Sequence, residues 1–235
     1  SDLDKLTVLS IGKLLAGATG DSIAEVLVTG STLTADTITL TATAAADEAS
    51  ASVVVDGSDL TADSIELKAT STATPASAAF VSASSSASVA VIGASTLTAT
   101  AGAISIASSS TATVDVESAP TGLTGDTGVD AAIAIVDVES IASTLVGEQT
   151  ELAATGAITI SATSLADVTV VADASGINAG GAIATGDVVA AATTAVITDG
   201  AITSGGDLDV TAEAVIDVAV SAIASPEGAT ENDES

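Results

Sequence analysis

One phrase recurs five times along the chain: an apolar pair, a glycine, a short polar step and then an alternating run. The first copy runs from Leu27-Val28-Thr29-Gly30 through Leu33-Thr34-Ala35-Asp36 to Ile38-Thr39-Leu40-Thr41-Ala42. The second, Val54-Val55-Asp56-Gly57 through Leu60-Thr61-Ala62-Asp63 to Ile65-Glu66-Leu67-Lys68-Ala69, matches it without a gap. Looser copies follow around Gly93, Gly147 and Gly200. These glycines stand 27, 36, 54 and 53 residues apart. Such uneven spacing does not fit identical globular modules and predicts a coil in which some copies are separated by an extra turn. Val114-Asp115-Val116-Glu117-Ser118 returns unchanged as Val136-Asp137-Val138-Glu139-Ser140, a displacement of 22 residues that suits one such turn.

Inside each copy the apolar residues alternate: Ile38, Leu40, Ala42; Ile65, Leu67, Ala69; Ile104, Ile106; Ile158, Ile160, Ala162. A period of two means strands with one buried face. Thr39, Thr41, Glu66, Lys68, Ser105 and Thr159 then point outward, where a β-branched side chain suits the pleat. The one aromatic residue is Phe80, so the interior has to be filled by Val, Ile, Leu and Ala, and that calls for a thin cross-section. A solenoid meets this requirement by stacking strands on themselves. The expected fold is all-β, a parallel β-solenoid with irregular repeats; at about 22 to 27 residues per turn and about 4.8 Å between strands it would have roughly nine to eleven turns. β-sandwich modules are the alternative, although the buried Trp and the Tyr corner of immunoglobulin-type sandwiches are both missing. The repeats are expected over 27–224, with residues 1–26 as a first turn or cap, partly helical between Leu3 and Leu15, and 225–235 as an acidic tail or linker.

Thirty-one Asp and Glu against three Lys give a formal charge of -28, which excludes nucleic acid and anionic membrane surfaces as natural partners. A mean hydropathy of +0.64 sets the chain apart from the disordered class. From Ala69 to Val114 there is no charge, yet Ser, Thr, Gly and Pro75 interrupt the stretch too often for a spanning helix, and a membrane barrel would require aromatic girdles. Without Cys, His or Arg, thiol and histidine catalysis, zinc sites and disulfides are excluded, and no enzymatic activity is expected. Paired carboxylates alone could serve glycoside hydrolysis, but the aromatic platforms that hold sugars are missing. The chain opens Ser1-Asp2-Leu3 with no charged region leading into an apolar stretch, so a segment of a longer or processed protein is expected.

Two places could bind a hard cation such as Ca2+. If the two Val-Asp-Val-Glu-Ser turns stack in register, Asp115, Glu117, Asp137 and Glu139 form a cluster of like charges that Ca2+ would relieve. Asp126 and Asp130, in the Gly-punctuated stretch Gly122 to Asp130, are the other candidates. The simpler reading of both is outward charge that keeps the surface soluble and blocks lateral strand pairing, with no cofactor required. The Thr-x-Thr runs at Thr32/Thr34, Thr39/Thr41/Thr43 and Thr96/Thr98/Thr100 are similar to water-ordering threonine ladders, but Thr is expected at outward strand positions in any case.

The phrase as a whole resembles the repeat arrays of giant secreted bacterial adhesins of the filamentous haemagglutinin kind. Gly176 to Ala212, where Gly180-Gly181-Ala182-Ile183-Ala184 leads to Gly205-Gly206-Asp207-Leu208, is most similar to them. The resemblance implies a right-handed coil of short parallel strands in a secreted or surface-anchored fibre, with adhesion to a distal receptor at the tip and no catalysis in the stalk. Self-association end to end is expected, since cutting a solenoid leaves unpaired backbone and an open apolar cross-section. The competing class is a surface-layer lattice subunit bridged by Ca2+, which shares the acidic, Cys-free composition.

Overall fold

The computed structural model describes residues 20–119, 130–175 and 180–224. Among these residues fifteen strands wind into five coils of three: β1 (Asp21–Thr29), β2 (Thr32–Thr34) and β3 (Thr37–Ala46); β4 (Glu48–Asp56), β5 (Asp59–Ala62) and β6 (Ser64–Ala73); β7 (Phe80–Ile92), β8 (Thr96–Ala99) and β9 (Ile104–Ser118); β10 (Asp130–Val146), β11 (Glu151–Ala154) and β12 (Ile158–Asp173); β13 (Gly180–Val196), β14 (Ile202–Ser204) and β15 (Leu208–Ile223). Strands in the same place of successive coils pair in parallel, giving three five-stranded sheets: β1-β4-β7-β10-β13, β2-β5-β8-β11-β14 and β3-β6-β9-β12-β15. The chain is a parallel β-solenoid, with two long sheets joined along one side by a short one.

The alternation read from the sequence places like on like. Ile38, Ile65, Ile104, Ile158 and Leu208 form one column through the third sheet, and Leu40, Leu67, Ile106, Ile160 and Val210 form the next. Leu33, Leu60, Leu97, Leu152 and Ile202 line the short sheet in the same way. The eight Ile and Leu side chains from Ile38 to Ile160 are buried in a single cluster, as the alternation requires. Stacked β-branched and Leu side chains in register tile a narrow interior without any aromatic ring.

The coils are fewer and longer than their spacing predicts. Asp21 pairs with Glu48, 27 residues on; Glu48 with Ser84, 36 on; Ser84 with Glu139, 55 on; and Glu139 with Val189, 50 on. Each repeat therefore makes one coil, whatever its length, and five coils rise only about 19 Å at ~4.8 Å per step. The added residues lengthen strands within a coil. The first sheet's strands grow from 9 to 17 residues and the third sheet's from 10 to 16. In coils three to five the two long sheets thus continue past the triangular core and face each other as a fin. The fin has its own interior of Ala and Val, including Val81, Ala112, Val114, Val116, Val136, Val138, Val168 and Val170.

Between the two interiors runs a chain of buried serine hydroxyls that crosses from sheet to sheet while climbing the axis. Ser71 Oγ donates to the Ala49 carbonyl at 2.8 Å, and Ser85 Oγ donates to Ser71 Oγ at 3.0 Å. Ser110 Oγ donates to the Ser85 carbonyl at 2.8 Å and lies 2.9 Å from Ser140 Oγ. Ser164 Oγ donates to the Ser140 carbonyl at 2.7 Å. With Ser140 donating to Ser110, one proton per oxygen satisfies all five of these hydroxyls. Beside this chain, Ser108 Oγ lies 2.8 Å from Thr144 Oγ1, which donates to the Ser161 carbonyl at 2.6 Å.

The corners explain the rest of the repeated phrase. Gly30, Gly57 and Gly93 turn the chain from the first sheet into the short one at φ of 55°, 54° and 68°, in the left-handed region. The Ser that follows secures each corner. Ser58 Oγ donates to the Asp56 carbonyl of its own turn at 2.9 Å and accepts the Ser31 backbone N–H of the coil below at 3.1 Å, while Ser95 accepts the Ser58 N–H at 3.2 Å. At the corner into the third sheet the Asp63 N–H donates to the Asp36 carbonyl, with Gly102, Gly156 and Gly206 above them. A Cβ on Gly156 would lie 2.9 Å from the backbone carbonyl of Gly102, so the coils can stack this closely because Gly156 has no side chain.

Candidate functional site

The two Val-Asp-Val-Glu-Ser segments do not lie in successive turns of one sheet. The first is in β9 of the third sheet, the second in β10 of the first. Val114, Val116, Val136 and Val138 face each other inside the fin, so alternation sends Asp115 and Glu117 out of one side and Asp137 and Glu139 out of the other. The condition for a four-carboxylate cluster is not met, because a displacement of 22 residues carries the chain across the fin rather than up one coil. Asp126 lies outside the described residues. Asp130 opens β10 with its backbone paired to Gly180. Among the described residues no three Asp or Glu side chains gather as metal ligands would.

In-register stacking does create acidic pairs. Asp137 is the direct neighbour of Asp187 in β13, and on the opposite side of the fin Asp167 is the direct neighbour of Asp217 in β15. All four are exposed, and like charges directly opposite each other destabilise the pairing of their strands. At the end of β12, Asp173 is held below the usual aspartate range by the Ser175 hydroxyl and then by the Ser175 backbone N–H, which donates to Asp173 Oδ1 at 2.8 Å. Outward on the short sheet, Thr34, Thr61, Thr98, Ala153 and Thr203 form one column, while Thr32, Asp59, Thr96 and Glu151 interleave threonine with carboxylate in the next. No flat, continuous threonine array results on this face.

The most unusual surface is the far side of the fifth coil. Leu208, Val210, Val218 and Val220 are 50%, 47%, 42% and 49% exposed, whereas Ile158, Ile160, Val168 and Val170, directly beneath them, are between 0% and 1%. Among the described residues no strand pairs with the free edges of β13, β14 and β15. This surface combines three rows of unpaired backbone donors and acceptors with an apolar cross-section, which is what strand addition needs. The alternation gave no hint of it, because Leu208 and Val210 have the same pattern as their buried counterparts. No described helix is long and apolar enough to cross a membrane. Comparison of the chain with protein-family models, curated proteins and solved structures gives no significant match in any of the three.

Proposed function

We propose that this chain is a structural, non-catalytic segment of an extracellular surface fibre, comparable to the stalk repeats of filamentous haemagglutinin-like adhesins. The observation that carries the proposal is the parallel stacking of five coils in three sheets among the described residues. Backbone hydrogen bonds and side-chain columns all run along one axis, so tension and growth follow that axis too. A surface charge of -28 made almost wholly of carboxylates keeps such fibres apart laterally while leaving their ends free to meet. Immunogold electron microscopy of the native cell surface tests the proposal: label on thin projecting fibres is expected, and label confined to the cytoplasm or to a flat array would refute it.

The stacked acidic pairs Asp137/Asp187 and Asp167/Asp217 favour a second reading, a surface-layer subunit whose lateral contacts are bridged by Ca2+. It requires a two-dimensional array in the same micrographs that dissolves when the ion is chelated.

A further inference from the structure

We infer that the outer face of the first sheet docks a second copy of this chain, packed sheet on sheet with its solenoid axis reversed, about a two-fold axis that runs along β7. In a chain of charge -28 this face is nearly uncharged. Three outward columns cross all five coils, from Ile23 to Ala191, Glu25 to Thr193 and Leu27 to Ala195, and a fourth, Thr29, Asp56 and Ile92, runs into the corner. Glu25 and Asp56 are the only carboxylates in these columns, whereas the outer face of the third sheet carries Glu66, Asp115, Asp167, Asp209, Glu213 and Asp217. Ile23 and Leu27 are 68% and 60% exposed. At about 4.8 Å between strands and 3.3 Å per residue, the four columns offer about 600 Å² on each copy, about 1,200 Å² in all, which reaches the range of specific pairs.

Side-chain size and charge both select a second copy as the occupant. The axis exchanges coil one with coil five and coil two with coil four, and keeps each column on itself. Ile23 and Leu27 then meet Ala191 and Ala195 of the second copy, while Ile141 and Leu145 meet Ser50 and Val54. On the axis itself, Ser88 and Ala90 meet their own mates. Each bulky pair thus faces a smaller one, which lets two sheets close to about 10 Å. Glu25 faces Thr193, so no carboxylate of the three full columns opposes another. A two-fold axis along the solenoid would instead set Glu25 against Glu25 and Ile141 against Leu145. The chosen axis also runs out along β7 to Phe80, the one aromatic residue and 68% exposed, and places its ring against its mate. Asp21, Glu48 and Glu139 form the next column and bound the face; Glu48 lies across from Glu139 there, so pairing strengthens as salt screens that rim.

The inference goes beyond the proposed function, since it concerns a side of the solenoid rather than its length. Sedimentation equilibrium at about 1 M NaCl is expected to give a dimer for the unmodified chain and for Ser109→Asp, on the outer face of the third sheet. Ser88→Asp, which sets two like charges against each other on the axis, is expected to be a monomer, with the far-ultraviolet circular dichroism of all three alike. The chain has no cysteine of its own, so single thiols report the geometry. With a bismaleimide of about 10 Å, S88C should cross-link to itself, whereas E25C should cross-link to T193C and not to itself. A monomeric unmodified chain, or a dimer that Ser88→Asp leaves intact, would overturn the docking face. E25C cross-linking to itself would overturn the reversed axis. None of these results bears on the fibre reading, which the micrographs test separately.

Discussion

Replacing Ser110 with alanine should destabilise the protein far more than the same change one residue earlier. Ser110 Oγ donates to the Ser85 carbonyl and is the acceptor for Ser140 Oγ, all of them buried between the two interiors. Its removal takes away the acceptor of the Ser140 hydroxyl proton, leaving that oxygen only the Ser164 Oγ contact at 2.9 Å, and takes a hydrogen bond from the Ser85 carbonyl. An unpaired buried group costs about 1–3 kcal/mol. A conventional surface change costs within about 0.5 kcal/mol, which is the expectation for Ser109→Ala on the outer face of the same strand. For a chain of this size each kcal/mol corresponds to about 2–4 °C in melting temperature. Converting Ser71, Ser85, Ser110, Ser140 and Ser164 to alanine together removes donors and acceptors at once. That variant should lose much less than the five single losses summed, because Ala44, Ala49, Ala190 and Ala214 already hold the same columns in neighbouring coils. Thermal and urea unfolding followed by circular dichroism, at high salt to suppress self-repulsion, measures all of these. If Ser110→Ala unfolds with Ser109→Ala, or if the five losses simply add, the hydroxyl chain is not acting as a connected network.

Gly156→Ala should lower the melting temperature, since its Cβ would press on the Gly102 backbone, whereas Gly181→Ala, with nothing within 4 Å, should not; equal midpoints would show that the corner yields freely. Molar NaCl or millimolar Ca2+ should raise the midpoint of the unmodified chain by screening its -28 charge, and identical melts in low and high salt would refute this. Asp173 should titrate below the ordinary aspartate value in a carbon-detected NMR titration. Its folded-state value is depressed, so the stability it contributes is present at neutral pH and lost as pH falls through that lower value. Ser175→Ala should move it back up, and an unchanged Asp173 would mean that the turn is not made in solution.

The inward face of the third sheet's strands could be read directly from sequence, because parity set by Ile158 and Ile160 runs without a slip through Ala162, Ser164, Ala166, Val168 and Val170, whereas in β1 Ile23 and Leu27 point outward and Ser22 inward. Following that parity strictly would also have placed Ser164, Ser110 and Ser71 inside; polarity alone argued against it, and only the structure shows the partners that make it affordable. The number of coils was misjudged for a different reason. Residues added to lengthen a strand have the same Ala, Ser, Thr and Val composition as those that begin a new one. The corner is the only sequence mark of a coil, and five glycine corners correspond to five coils. The separation of Asp115 and Glu117 from Asp137 and Glu139 depends on whether the chain turns upward or across, and identical pentapeptides cannot record that. Nor could the sequence show which coil lies uncovered, since exposure at an end depends on neighbours rather than on pattern.

The difference between narrow first coils and wide later ones gives folding a direction. Closing the first coil on the second joins partners 27 residues apart, whereas the fourth and fifth join partners 50 apart. The extra loop entropy is about 0.5–0.6 kcal/mol, a little less than that of a full doubling. The larger penalty is that a wide strand must find its register over 17 positions rather than 9, and small alternating residues discriminate poorly against a slip by two. A nucleus at the narrow end settles register early, where Val26 meets Val53 and Leu40 meets Leu67, and each wider coil then folds against a template that already fixes its position. A chain that leaves a membrane pore with its first residues ahead would present its coils in that order, narrow before wide.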